Sequence, residues 1–380
     1  MITGASAKVP GLGTPFFFSV NEASCLGWFH AAQAHVRGVG VVMCRPIGYE
    51  AMCAYGAYTQ LAEMLAQSGF DVVRFDYPGT GDSSGDDTQP GRVRSWIDSI
   101  VAAAHELKQL ASVSRLCLFG LRLGATLAAQ AARRLEGVES MVMWAPCASG
   151  RGFVRELRAA GASRAAPTRE AVPADIDAMG FIYTAQTLED LGALLLVQPG
   201  QPPAPKVLIL DRDDMPSPAL PVKFREMGVD TRYALAPGYA RMMAEPRESL
   251  LKAESLRLIT DWLTAEPAAA VATQACAMNQ AKPGHHQFDS LRETAVNFGP
   301  GEKLFGILAE PVASPDRDQY QRCDTAILML NVGGNYRIGP NRIYVKIARS
   351  LARTGYRALR FDLAGLGDSR AEAGFSAGTL

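Results

Sequence analysis

Apolar positions along this chain follow two alternating signatures. Short unbroken apolar runs read as strands covered on both faces, and apolar residues spaced three and four apart read as helices with one wet side. Val39 to Cys44 is such a run, and Phe70 to Phe75, Arg115 to Phe119, Val138 to Trp144, Lys206 to Leu210 and Thr231 to Leu235 read as the further strands. Met52, Tyr55, Tyr58, Leu61, Ala62 and Leu65 form one helical stripe, which Gly69 can cap. Val93, Trp96, Ile97, Ile100, Val101, Ala104 and Leu107 form another. Phe16 to Val20 and Leu26 to His30, joined by a polar turn, predict an opening hairpin. Strand and helix in alternation predict an α/β fold with a doubly wound, mostly parallel sheet. Its ligand site is expected beyond the carboxyl ends of the strands.

The rhythm breaks at residues 146–204, rich in Gly, Ala, Arg and Pro, which predicts a helical lid with short helices such as Thr187 to Leu196. A helix over 246–264 closes a first domain spanning 15–265. Residues 266–285 are Ala/Pro/Gln-rich and read as a linker. Then the pattern begins again. Offset by 286, residues 41–83 align with 327–369 without a gap, pairing Met43 with Met329, Gly48 with Gly334, Tyr58 with Tyr344 and Gly69 with Gly355. Arg-Phe-Asp-x-x-Gly-x-Gly-Asp-Ser occurs at Arg74 to Ser83 and again at Arg360 to Ser369. A hairpin over Thr294 to Leu308, a strand over 325–330, a helix over 340–353 and a strand over 356–361 predict an incomplete second domain, 286–380, that stops short of the next motif. Such a piece should expose Ile327, Leu328, Leu359 and Phe361 and call for pairing within the chain or with another chain.

Composition narrows the function classes. The 38 basic and 38 acidic residues cancel, which removes the electrostatic case for nucleic acid or a charged membrane surface. No apolar run approaches the ~20 residues of a membrane span, and the first residues lack a secretory pattern, so a cytoplasmic protein is expected. Seven scattered Cys, with no C-x-x-C and no Cys/His cluster, predict buried thiols; no metal and no cofactor is called for.

The chemistry-bearing stretch is Arg115 to Ala128. An apolar run ends in Gly120-Leu121-Arg122-Leu123-Gly124, and an Ala/Leu helix follows. Strand, sharp turn and helix with Gly at −2 and +2 make the G-x-S-x-G nucleophile elbow, here with Arg122 at the centre. With the repeated turn and the lid position, it resembles the α/β-hydrolase superfamily, serine aminopeptidase-like branch. Gly48-Tyr49-Glu50 and Gly120 to Ala125 are similar to exosortase-associated hydrolase-like proteins. The resemblance covers 15–265 and the start of the second copy. It implies hydrolysis of an ester, amide or thioester by a Ser–Asp/Glu–His triad. Arg122 stands at the Ser station and, always protonated, is neither nucleophile nor base. Asp214, with Asp213 beside it, stands at the acid station. The His station after Leu235 holds no His; the five are His30, His35, His105, His285 and His286. Oxyanion donors implied by the fold are the backbone N–H groups of Leu123 and of Ile47 or Gly48, since Pro46 has none, with Tyr49 also in the oxyanion or ligand pocket.

Two functions stay open. One is a hydrolase whose working elbow lies in a second domain; the other is a non-catalytic pseudo-hydrolase that holds an acyl or anionic small molecule or a protein partner. Arg122 likewise has two readings: a structural residue paired with Asp214 or Asp213, or an anion-binding group. Cys147 is expected to be structural, Asp76, Asp82 and Ser83 to stabilise their turn, and Met242-Met243 to pack.

Overall fold

A computed structural model of the chain describes residues 13–33, 35–162, 175–246, 253–265, 284–288, 290–312 and 323–370. They form two compact units, one of Phe18–Gln280 and one of Ala281–Leu380 with Met1–Phe17.

The larger sheet is built from β1 (Thr14–Val20), β2 (Ala23–His30), β3 (Val39–Cys44), β4 (Asp71–Phe75), β5 (Arg115–Leu121) and β6 (Val138–Trp144). After a short hairpin, β7 (Ile176–Ala178) and β8 (Phe181–Tyr183), come β9 (Lys206–Arg212) and β10 (Asp230–Ala236). The order is β1-β2-β4-β3-β5-β6-β9-β10. β2 runs antiparallel to β4, and every pairing from β4 to β10 is parallel. The unbroken apolar runs sit in the middle because β3, β5 and β6 are covered on both faces; Val41, Cys117 and Met141 are all fully buried.

The first helical stripe divides at Ala54 into α1 (Tyr49–Cys53) and α2 (Tyr55–Gln67). On one face, Tyr58, Leu61 and Leu65 of α2 share a core with Leu256 and Ile259 of the closing helix. On the other, α3 (Arg92–Ala111) packs against α4 (Leu123–Ala132) and the central strands. The described part of the segment expected to be a lid comprises α5 (Gly150–Ala162), the β7–β8 hairpin and α6 (Ala185–Gly192). The helix expected at Thr187–Leu196 starts earlier, because Thr184 caps it by accepting from the Thr187 N–H, and it stops at Gly192. The unit continues with α7 (Ala219–Glu226), α8 (Tyr239–Met242) and α9 (Ala253–Thr264). The first part of the closing helix expected from 246, residues 247–252, lies outside the described residues, as do 266–283 of the expected linker.

The second unit holds β11 (His285–Phe288), β12 (Leu291–Phe298), β13 (Leu304–Pro311), β14 (Ala326–Met329), α10 (Ile343–Arg353) and β15 (Arg357–Phe361). Its sheet order is β11-β12-β13-β15-β14. The last three strands repeat the directions of β2-β4-β3: β13 is antiparallel to β15 and β15 parallel to β14, as β2 is to β4 and β4 to β3. The start of the helix expected over 340–353 is a 3-10 turn, Pro340–Arg342. The repeated turn is built the same way in both units. Asp76 and Asp362 accept from the N–H of Asp82 and Asp368, at 2.9 and 3.0 Å. Ser83 and Ser369 each donate to the backbone carbonyl of that Asp at 2.6 Å. These carboxylates and hydroxyls hold the turn, as expected. Each buried Asp meets a guanidinium, but from different positions: Arg45 in the first unit and Arg337 in the second. Asn331, which aligns with Arg45, contributes only a 3.4 Å amide contact to Asp362.

The apolar exposure expected on the second unit is partly corrected. Leu328 is 63% exposed, and exposure continues at Leu330 and Val332. Phe361 is buried against Phe298, and Ile327 and Leu359 are half-buried. Ala348, Leu351 and Ala352 of α10 pack with Ile327, which is why one face of β14 is covered.

Candidate functional site

The elbow forms where β5, the strand between β3 and β6, gives way to α4. Arg122 adopts φ 54°, ψ −125°, a conformation that non-glycine residues enter at a cost of about 1–3 kcal/mol. Its N–H donates to the Trp144 carbonyl at 2.9 Å, and its carbonyl accepts from the Ala125 N–H at 3.1 Å. A Cβ on Gly120 would lie 2.4 Å from the Ala125 Cα, and one on Gly124 2.3 Å from the Cys44 oxygen. The helix start and the end of β3 are thus pressed together. The two glycines of the motif are required by close approach, whatever residue sits between them.

The guanidinium of Arg122 is buried, its side chain 6% exposed. Nε donates to Oε1 of Glu50 at 2.7 Å, and Nη2 donates to Oε2 of Glu156. It therefore ties three elements: the elbow, α1 beyond β3, and α5. The expected partners are elsewhere. Asp214 takes two hydrogen bonds from Arg212, at 2.9 and 2.7 Å, which hold its carboxyl below the ordinary value. Asp213 accepts from the Gly238 N–H at 2.9 Å. Asp214 is engaged within its own loop and Asp213 by the loop after β10, and the elbow aims Arg122 toward α1 and α5 instead. Burial raises the Glu50 carboxyl above its ordinary value, while Arg122 works in the opposite direction. Its second oxygen, Oε2, is buried with no hydrogen-bond partner among the described residues.

The remaining stations hold other residues. The segment after β10 presents Tyr239, buried, with the Arg212 guanidinium 5.0 Å over its ring. His30 accepts from Arg74 at 3.1 Å, on β2. Cys147 lies beside the elbow, its N–H donating to the Arg122 carbonyl at 3.4 Å. Burial raises its thiol far above the ordinary value even with Arg122 opposing, which keeps it protonated. Met242 is fully buried in the core. The expected oxyanion residues flank the elbow: Leu123 opens α4, and Ile47, Gly48 and Tyr49 follow the Cys44–Arg45 carbonyls that abut Gly124. Tyr49 itself is turned away, donating to the Ala244 carbonyl at 3.2 Å.

Sheet order and elbow together decide the architecture. The first unit has the α/β-hydrolase fold. A family model described as serine aminopeptidase, S33 matches residues 52–180. The chain is similar to Est1E from Butyrivibrio proteoclasticus with ferulic acid bound, at 14% identity and TM-score 0.48, over 66% of this chain and 96% of that one. It is similar to proline iminopeptidase from Mycobacterium smegmatis, at 16% identity and TM-score 0.43, over 66% and 98%. A third likeness is an α/β serine hydrolase homologue from Coxiella burnetii, at 13% identity and TM-score 0.40, over 69% and 100%. No curated protein matches the chain.

Glu50 and Glu156 are the site residues that sequence reasoning missed. Glu50 carried a signal, since Gly48-Tyr49-Glu50 directly follows a strand whose carboxyl end faces the elbow. Glu156 carried none: it is one charged residue on the polar side of α5, 34 positions from Arg122.

Proposed function

We propose that the first unit is a pseudo-hydrolase: it holds an acyl or anionic ligand or a protein partner and does not turn over an ester, amide or thioester. The observation that carries this is Arg122 at the apex of the elbow, clamped by Glu50 and Glu156. A group that is permanently protonated cannot attack a carbonyl, and no His stands at the base station. The test is labelling with a fluorophosphonate and turnover of a p-nitrophenyl ester, on the wild type and on Arg122→Ser. Both proteins should stay unlabelled and inactive, because a hydroxyl without a base is not activated. Stoichiometric labelling of any Ser in the wild-type chain overturns the reading.

The second unit is, on this proposal, a partial second copy of the same fold, with domains at 15–265 and 286–380 joined by 266–285. Its strand order and the matching Asp76 and Asp362 turns support that reading. Hydrolytic chemistry of the kind the S33 likeness suggests would then require a complete elbow and triad in a fuller second copy.

A further inference from the structure

The two carboxylates on Arg122 are not equivalent. Glu50 is mostly buried, its side chain 26% exposed, and grips Nε. Glu156 is 56% exposed on the lid and grips Nη2. Those two bonds leave Nη1 without an acceptor among the described residues, and Nη1 is not sealed from solvent. The end of the guanidinium formed by Nη1 and Nη2 is therefore half used, by one oxygen of one exposed residue. A planar carboxylate matches that end with two parallel N–H···O bonds, the strongest geometry a guanidinium offers.

We propose that the end-on face of Arg122 is a carboxylate-binding site, and that Glu156 is an internal stand-in for the ligand which leaves when the lid opens. The inference deepens the pseudo-hydrolase reading and rests on it. Charge accounting favours exchange over addition. Arg122 and Arg212 stand against Glu50, Glu156 and Asp214, so the cluster carries one excess negative charge and a further carboxylate is repelled. Replacing Glu156 with a ligand carboxylate leaves that charge unchanged. Releasing Glu156 costs little, because it returns a half-exposed group to water. Releasing Glu50 would strand a buried one. The tethered Glu156 acts as a competitor at an effective concentration of order millimolar, so ligand binding and lid opening are linked.

The test is calorimetric titration of the full chain with benzoate, using benzamide as the neutral shape control. Glu156→Gln should bind benzoate at least about fivefold tighter than the wild type, the factor expected for removing a part-exposed competing ion pair. Benzamide should not bind either protein. Adding Arg122→Met to Glu156→Gln should abolish benzoate binding. Should that double variant fail to fold, the Arg122 guanidinium resonances of 15N-arginine-labelled Glu156→Gln must shift on adding benzoate. Equal benzoate affinity in wild type and Glu156→Gln, benzamide binding as tight as benzoate, or unmoved Arg122 resonances would each overturn the proposal. Phosphonate labelling reports separately on whether the unit is a pseudo-hydrolase at all.

Discussion

Replacing Arg122 with Ala removes the cation that hydrogen-bonds both Glu50 and Glu156 while keeping the elbow backbone, and leaves Glu50 only the weaker attraction of Arg212. Removing one partner of a fully buried ion pair costs about 3–5 kcal/mol. Here Glu156 can rehydrate, being half-exposed, and Glu50 can do so in part. The expected loss is therefore about 2–3 kcal/mol at pH 8. Arg122→Gly should lose about 1 kcal/mol less than Arg122→Ala, because glycine tolerates the positive φ that alanine does not. The loss should also depend on pH. The folded Glu50 carboxyl lies above its ordinary 4.5, so stability falls as pH rises from 4.5 through the folded value. Without Arg122 that value rises further, and the high-pH penalty grows. The difference between variant and wild type should thus be larger at pH 8 than at pH 4.5. Urea unfolding followed by tryptophan fluorescence measures it cleanly, since Trp28, Trp96, Trp144 and Trp262 all lie in the first unit. An Arg122→Ala protein as stable as the wild type at pH 8, or one penalised more at pH 4.5, would refute the reasoning.

Three further outcomes are expected. Gly124→Ala should cost about 3 kcal/mol or more in the same unfolding assay, since its Cβ would press on the backbone oxygens of Cys44 and Arg45; unchanged stability would mean the elbow is looser than its geometry. In the second unit, burial opposes the Glu293 charge, but Arg349, Arg360 and His286 outweigh it and hold the carboxyl well below 4.5. That contribution is present above 4.5 and lost as pH falls through the depressed value, so Glu293→Gln should lower native-state hydrogen-exchange protection of β12 and β13 by about 3–5 kcal/mol at pH 7 and should blunt the acid sensitivity of that unit. Amides of β14 should exchange faster than those of β3, because β3 is paired on both sides by β4 and β5 whereas β14 is paired by β15 alone among the described residues; equal protection in a monomer would mean the far edge of β14 is covered.

Much of the fold is local and was legible. The buried strands read as unbroken apolar runs because both their faces are covered, and Gly120 and Gly124 read as an elbow because no side chain fits where β5, α4 and the end of β3 converge. That an arginine stands at the centre of the elbow was equally legible, being a matter of which residue occupies position 122. The 286-residue offset announced a turn that the two units build with the same hydrogen bonds. Partner choice was not legible. Asp213 and Asp214 looked like the natural partners of Arg122 from chain order alone, yet Arg212 and Gly238 claim them. Glu50 and Glu156 reach Arg122 from 72 and 34 positions away, one from beyond β3 and one from α5. The guanidinium that neutralises the repeated turn likewise shifts from Arg45 to Arg337 between units, although the turn sequence is the same. Backbone geometry is written in short-range pattern because sterics act between neighbours. An ion pair goes to whichever charge the packed elements deliver within about 3 Å, and only the tertiary structure decides which charge that is.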